Sequence, residues 1–205
     1  GVGVRLTVPR RTSQKTILDF LDRHKGWVSE RIGAPPALVG HGTRLPFRGG
    51  ELLVVHDPSR RSSRLDAPTA EGEPWHLHVG GEPAHTPRRV ADALKREARR
   101  DLEAAVARHS QALSLQPKAL ALKDTTSRWG SCTADRRLAF SWRIVMAPPF
   151  ALDYLAAHEV AHFREMNHSP AFWAICRELC PDMDRGREWL RREGASLHAP
   201  RFALT

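Results

Sequence analysis

The chain has 205 residues, of which 41% are hydrophobic, enough for one sizeable core or a core with a smaller subdomain. No apolar run approaches the roughly 18–20 residues that span a bilayer, and Gly1 opens no signal-peptide pattern, so no membrane partner is expected. The net charge is +9, an excess carried by Arg, which leaves acidic partners and nucleic acid open through long-range attraction.

The basic clusters are Arg10-Arg11, Arg60-Arg61 with Arg64, Arg88-Arg89, Lys95-Arg96 with Arg99-Arg100, and the run from Arg185 to Arg192. A solvated helix face is the plain reading. A nucleic-acid surface is the alternative, and no helix-turn-helix or aromatic stacking series supports it. Cys176 and Cys180 share a helix face at i, i+4, a poor disulfide geometry, and Cys132 stands alone. Three free thiols point to a reducing cytoplasm. The chain starts without Met, so native residues are expected upstream of Gly1.

In chain order, Val2, Val4, Leu6 and Val8 alternate like a strand. Ile17, Leu18, Leu21, Val28 and Ile32 follow a helical period, Thr12 or Ser13 can cap it, and Gly33 to Pro36 end it. Short strands are expected near 45–48, 51–56 and 75–79, joined by Gly/Pro/Ser-rich turns. The polar segment 58–74 reads as a hairpin loop. His76 and His78 share one strand face, and surface positions suit them better than a second metal pair. Thr86-Pro87 starts a long helix to about Ala112, with Val90, Leu94, Leu102 and Val106 on its apolar side. Residues 118–123 and 138–144 read as strands. Three helices follow, one opened by Pro148-Pro149 and two near 170–180 and 183–194. A soft boundary near residue 82 separates a β-rich N-terminal region with one helix (1–82) from an α+β part (83–205).

Residues 158–168, HEVAHFREMNH, carry the chemistry. His158 and His162 are four apart, so on a helix their Cβ atoms lie roughly 5–6 Å apart on one face. Two imidazoles there can meet one ion at about 2.0–2.1 Å, the zinc–nitrogen distance. Glu159 is turned about 100° away, where it can flank the metal as a base without ligating it. This is the H-E-x-x-H spacing of zinc hydrolases. With 11 His and 12 Glu in the chain, a chance match is expected at about 3%. Phe150, Leu152, Leu155, Ala156, Val160 and Phe163 make the helix apolar, and two His and a Glu buried there need partners.

A catalytic zinc site usually has three protein ligands. His168, Glu165 and Glu178 are the candidates for the third. Asn167 reads as a left-handed helix stop, and Ser169-Pro170 as the cap and first turn of a new helix. The chain then reverses and brings His168 back under the ion. Geometry and the ligand preferences of zinc favour His168 over the two glutamates.

The stretch SRWGSC (127–132), RLAFSWRIVMAPP (137–149), LDYLAAHEVAHFREMNHSPAFW (152–173), Pro181 and Arg187-Glu188-Trp189-Leu190 resembles the YgjP-like metallopeptidase family, relatives of the SprT/Wss proteases and of small gluzincin-like zincins. The match is strongest over 118–195 and looser toward the N-terminus. The resemblance implies an α+β, zincin-like core with an active-site helix packed on a small sheet, and a β-rich N-terminal part. It implies one zinc ion per chain on His158, His162 and His168, with Glu159 as general base.

On this basis a zinc-activated water attacks a peptide carbonyl, and Glu159 shuttles its proton to the leaving amine. Arg128, Arg143 and Tyr154 are candidate oxyanion donors. Trp129, Trp142, Phe172 and Trp173 are core or cleft wall. An extended protein or peptide substrate is expected to pair with the strand over 138–142, around Phe140. A zinc peptidase is the leading function. The alternatives are a zinc hydrolase of a phosphoanhydride, a DNA-associated protease of SprT/Wss type, and a nucleic-acid-binding protein with a structural metal. Glu159 argues against the last, because a structural site has no use for a base.

Overall fold

The computed structural model describes residues 6–9, 11–32 and 38–202, with backbone alone for 27–32. The chain forms two compact units, Gly1–Ala37 with Leu204–Thr205, and Leu38–Ala203. Residue 82 lies inside the second unit. In the first, α1 (Gln14–Ile32) begins where the Ser13 hydroxyl accepts the Thr16 N–H at 3.1 Å, so Ser13 is the cap. Val2 and Val4 of the expected first strand, and the expected helix end at Gly33 to Pro36, lie outside the described residues. Residues 6–9 are irregular, because alternation makes a strand only where a neighbour takes up its backbone groups, and none does so among the described residues.

The second unit holds two small sheets and four of the five helices among the described residues, so the architecture is α+β. The first sheet contains β1 (Arg44–Phe47), β2 (Gly50–His56), β3 (Arg64–Asp66) and β4 (Trp75–Val79) in the order β1-β2-β4-β3. A tight turn joins β1 to β2, with Arg48 and Gly49 at φ 50° and 81°. β2 and β4 pair in parallel, with Val54 opposite Leu77. The segment 58–74 is therefore not one hairpin loop between β2 and β4, since parallel neighbours cannot be joined by a tight turn; only its second part, 67–74, makes a hairpin, between the antiparallel β3 and β4. It carries β3, whose three residues are too few to show a period.

Helix α2 (Thr86–Ala112) buries Val90, Leu94, Ala98, Leu102 and Val106. Its outer face is laced with ion pairs, Arg88–Asp92 at 4.0 Å, Arg99–Glu103 at 3.1 Å and Arg100–Glu97 at 2.6 Å. These are the i, i+3 and i, i+4 pairs of a solvated helix. The second sheet has the order β5-β7-β6, from β5 (Ala119–Lys123), β6 (Gly130–Cys132) and β7 (Arg137–Ser141). β5 runs parallel and β6 antiparallel to β7. The strand expected over 138–144 stops at Ser141 and turns into a 3₁₀ segment, Trp142–Met146.

Helix α3 (Pro149–Ala161) is mostly apolar, Asp153, His158 and Glu159 being its charged or imidazole side chains, and most of it is buried. α4 (Pro170–Leu179) and α5 (Met183–Glu193) pack on it. Tyr154, Ala157, Ala161, Phe172, Cys176 and Met183 form a second apolar cluster beneath the metal-motif residues. Gly186 permits the close approach of α5: a Cβ there would stand 2.4 Å from Tyr154 Cβ. No helix of the described residues is long and apolar enough to cross a membrane.

Candidate metal centre

Helix α3 ends at Ala161, earlier than the expected stop at Asn167. The i to i−3 turn bonds Phe163 N to Val160 O (2.9 Å) and Arg164 N to Ala161 O (3.1 Å) replace the helical pattern there. Asn167 is not left-handed: among the described residues Arg48, Ser114 and Arg136 are the non-glycine residues with positive φ. Two bonds from Glu165 make the turn instead. Its carboxylate accepts Asn167 N–H at 3.2 Å, and its carbonyl lies 3.0 Å from His162 Nδ1. The Ser169 hydroxyl accepts Phe172 N–H at 3.3 Å and starts α4.

This reversal brings three imidazoles together. The ligand atoms of His158, His162 and His168 all lie within 4.8 Å of one another and could hold a metal ion. His158 Nε2 and His168 Nε2 are 3.1 Å apart, close to the roughly 3.3 Å separating two nitrogens held at about 2.0–2.1 Å around a tetrahedral ion. His162 donates Nδ1–H to the Glu165 carbonyl, which leaves Nε2 as its ligand atom. Tyr154 Oη lies 3.5 Å from His158 Nδ1 and braces the opposite side of that ring. Phe172, fully buried, floors the group, with ring centroids 4.5–4.9 Å from all three imidazoles. Glu165 and Glu178 are outside the group: the first is used in the turn, and the second is exposed on α4.

Burial, helped by the neighbouring imidazoles and Arg187, pushes His158 down to about 4. Burial also lowers His162. Both rings are therefore neutral near pH 7, the form that binds a metal. Glu159 is 4% exposed. Burial pushes its carboxyl up to about 8, against the opposing charge of Arg128. Three imidazole donors next to a buried carboxyl group fit a divalent ion of borderline softness.

The other expected residues have separate places. Trp129 lines the cleft of about 350 Å³ over His158 and Glu159, and stacks on His198 at 4.9 Å. Arg128 lies in the adjoining depression, close enough to act on the charge of Glu159. Tyr154 is 6% exposed and supports His158. The Phe140 side chain is 1% exposed and belongs to the core. Arg143 is drawn away from the cleft: it binds Asp124 at 2.6 Å and the carbonyls of Leu197 and Pro200 at 3.2 and 3.1 Å. Its donors tie down the C-terminal segment, so it is a structural clamp. Burial pushes the Cys132 thiol up to about 11, which denies it a nucleophilic role near neutral pH.

Substrate pairing with 138–142 is also corrected. β7 is the central strand, hydrogen-bonded on both sides, and has no free edge. The strand beside Glu159 is β6, which the sequence reading missed: a Cβ on Gly130 would meet Glu159 Oε1 at 2.4 Å. The glycine of SRWGSC was its signal. Arg187, which the sequence shows only within a basic run and the stretch Arg187-Glu188-Trp189-Leu190, also lines the cleft.

Three converging imidazoles beside a buried carboxylate, carried on an α+β frame, are the equipment of a metal-dependent hydrolase. Comparison with known proteins narrows the class. The YgjP-like metallopeptidase domain model matches residues 1–193, and the chain belongs to that family. No curated protein matches. Among solved structures, the metallopeptidase zymogen abylysin of Pyrococcus abyssi is similar with a TM-score of 0.41 and 16% identity, covering 49% of this chain and 98% of that one.

Proposed function

We propose that the protein is a zinc peptidase acting on extended protein segments, with Glu159 as general base. The observation that carries this reading is Glu159 itself, 4% exposed and beside three imidazoles able to hold one ion. A structural metal has no need of such a carboxylate. His158, His162 and His168 would hold zinc, which supplies Lewis acidity toward a water and a substrate carbonyl.

Glu159 takes the proton of the attacking water and returns it to the leaving amine. The β6 edge receives the peptide by strand addition, and Gly130 keeps that edge close to the carboxylate. The free thiols Cys132, Cys176 and Cys180 support a cytoplasmic setting.

The test compares zinc-loaded wild type with Glu159→Gln on an unstructured protein, with and without single-stranded DNA, reading fragments by mass spectrometry. Cleavage by wild type alone is expected, and stimulation by DNA would join it to proteases of SprT/Wss type. No cleavage by the zinc-loaded protein, together with hydrolysis of nucleoside triphosphates, would overturn the reading in favour of a phosphoanhydride hydrolase.

A further inference from the structure

The cleft has two arms that meet at Trp129 and Gly130. On one arm Arg187 and Arg191 of α5 stand near Tyr154 and His158. On the other are Lys123 and Arg128. Apart from Glu159, no Asp or Glu lines either arm.

Arg191 is already committed to Glu188, at 2.7 and 2.9 Å. Arg187 has no carboxylate partner among the described residues. Its guanidinium lies 4.7 Å over the ring of Trp173, which in turn stacks on His168 at 5.6 Å. Three arginines of α2, Arg88, Arg99 and Arg100, in contrast meet acids one helical turn away. A guanidinium restrained on an aromatic face keeps its planar fork of donors and gives up little freedom on binding. That fork matches a carboxylate with two parallel hydrogen bonds.

Resting on the peptidase reading, we propose that Arg187 is a specificity residue that binds a carboxylate of the substrate in the α5 arm of the cleft. The carboxylate is either an Asp or Glu side chain near the scissile bond or the free C-terminus of a short peptide. Lys123 and Arg128 extend the same preference along the other arm, so the substrate class is acidic peptide.

The experiment uses fluorescein-labelled unstructured peptides. Each carries one Glu, or the matched Gln or Lys, at successive positions, with a free-acid or an amidated C-terminus. They are offered to zinc-loaded wild type, Arg187→Ala and Arg187→Glu for kcat/KM. The same peptides are titrated by anisotropy against the Glu159→Gln protein with and without the Arg187 substitutions, so that selectivity is also read without turnover. A preference of about fivefold or more for the acid is expected, the size of one favourable exposed ion pair. It disappears in Arg187→Ala and turns toward Lys peptides in Arg187→Glu, with zinc content unchanged. The Glu/Gln and acid/amide arms separate the two sources of carboxylate.

Equal ratios in wild type and Arg187→Ala would overturn the proposal. So would Arg187-dependent binding of nucleoside triphosphates without Glu/Gln discrimination, which points to phosphate. Retained, Arg187-dependent binding selectivity with no cleavage would sink the peptidase reading and leave the carboxylate site standing.

Discussion

Gly130→Ala is the most direct probe of how the fold builds the site. The added Cβ would lie 2.4 Å from Glu159 Oε1 and 2.8 Å from both its Cδ and Cγ. Only the carboxylate end could swing away cheaply, and here the stem is struck as well. Glu159 is 4% exposed, so there is little room to retreat. Overpacking of this kind costs about 1–3 kcal/mol. In a Glu159→Ala background the obstructing atoms are gone, so Gly130→Ala should cost close to nothing there. The double-mutant cycle then yields a coupling of about 1–3 kcal/mol. Urea unfolding of all four metal-free proteins measures it. Gly130→Ala should also lose most peptidase activity while binding zinc, because no ligand is touched. Equal costs in both backgrounds would show that β6 does not press on Glu159 and would refute the reasoning.

Single His158→Ala, His162→Ala and His168→Ala substitutions should each lower zinc content below one per chain, whereas Glu165→Gln and Glu178→Gln should retain it, as elemental analysis would show. Asp153 joins α3 to α2 through His109 at 2.8 Å and Arg108 at 2.5 Å, and these partners hold its carboxyl below the ordinary 3.8. A lowered acid pKa stabilises the fold above about pH 3.8 and loses that contribution as pH falls through the folded-state value. Asp153→Asn should therefore lower Tm near pH 7, with the gap to wild type narrowing below pH 3.8. A constant gap would show that the charge is irrelevant. Arg143→Ala should cost about 2 kcal/mol by freeing Asp124 and two carbonyls, and should keep zinc. Lost zinc with unchanged stability would place Arg143 at the metal.

What the sequence determined rests on short-range geometry. An i, i+4 spacing fixes the relation of His158 to His162 on any helix, and Ser169-Pro170 marks the reversal that returns His168. The period of α2 and its ends at Thr86 and Ala112 were legible for the same reason. The tertiary structure decided what depends on distant partners. Three-residue strands such as β3 and β6 are shorter than any readable period, and β2 and β4 pair in parallel through contacts that no local pattern encodes. Arg143 and Arg187 look alike in the sequence. One is clamped by Asp124 and two carbonyls, while the other is set on Trp173 within the cleft, because a guanidinium takes its role from whatever the fold places around it.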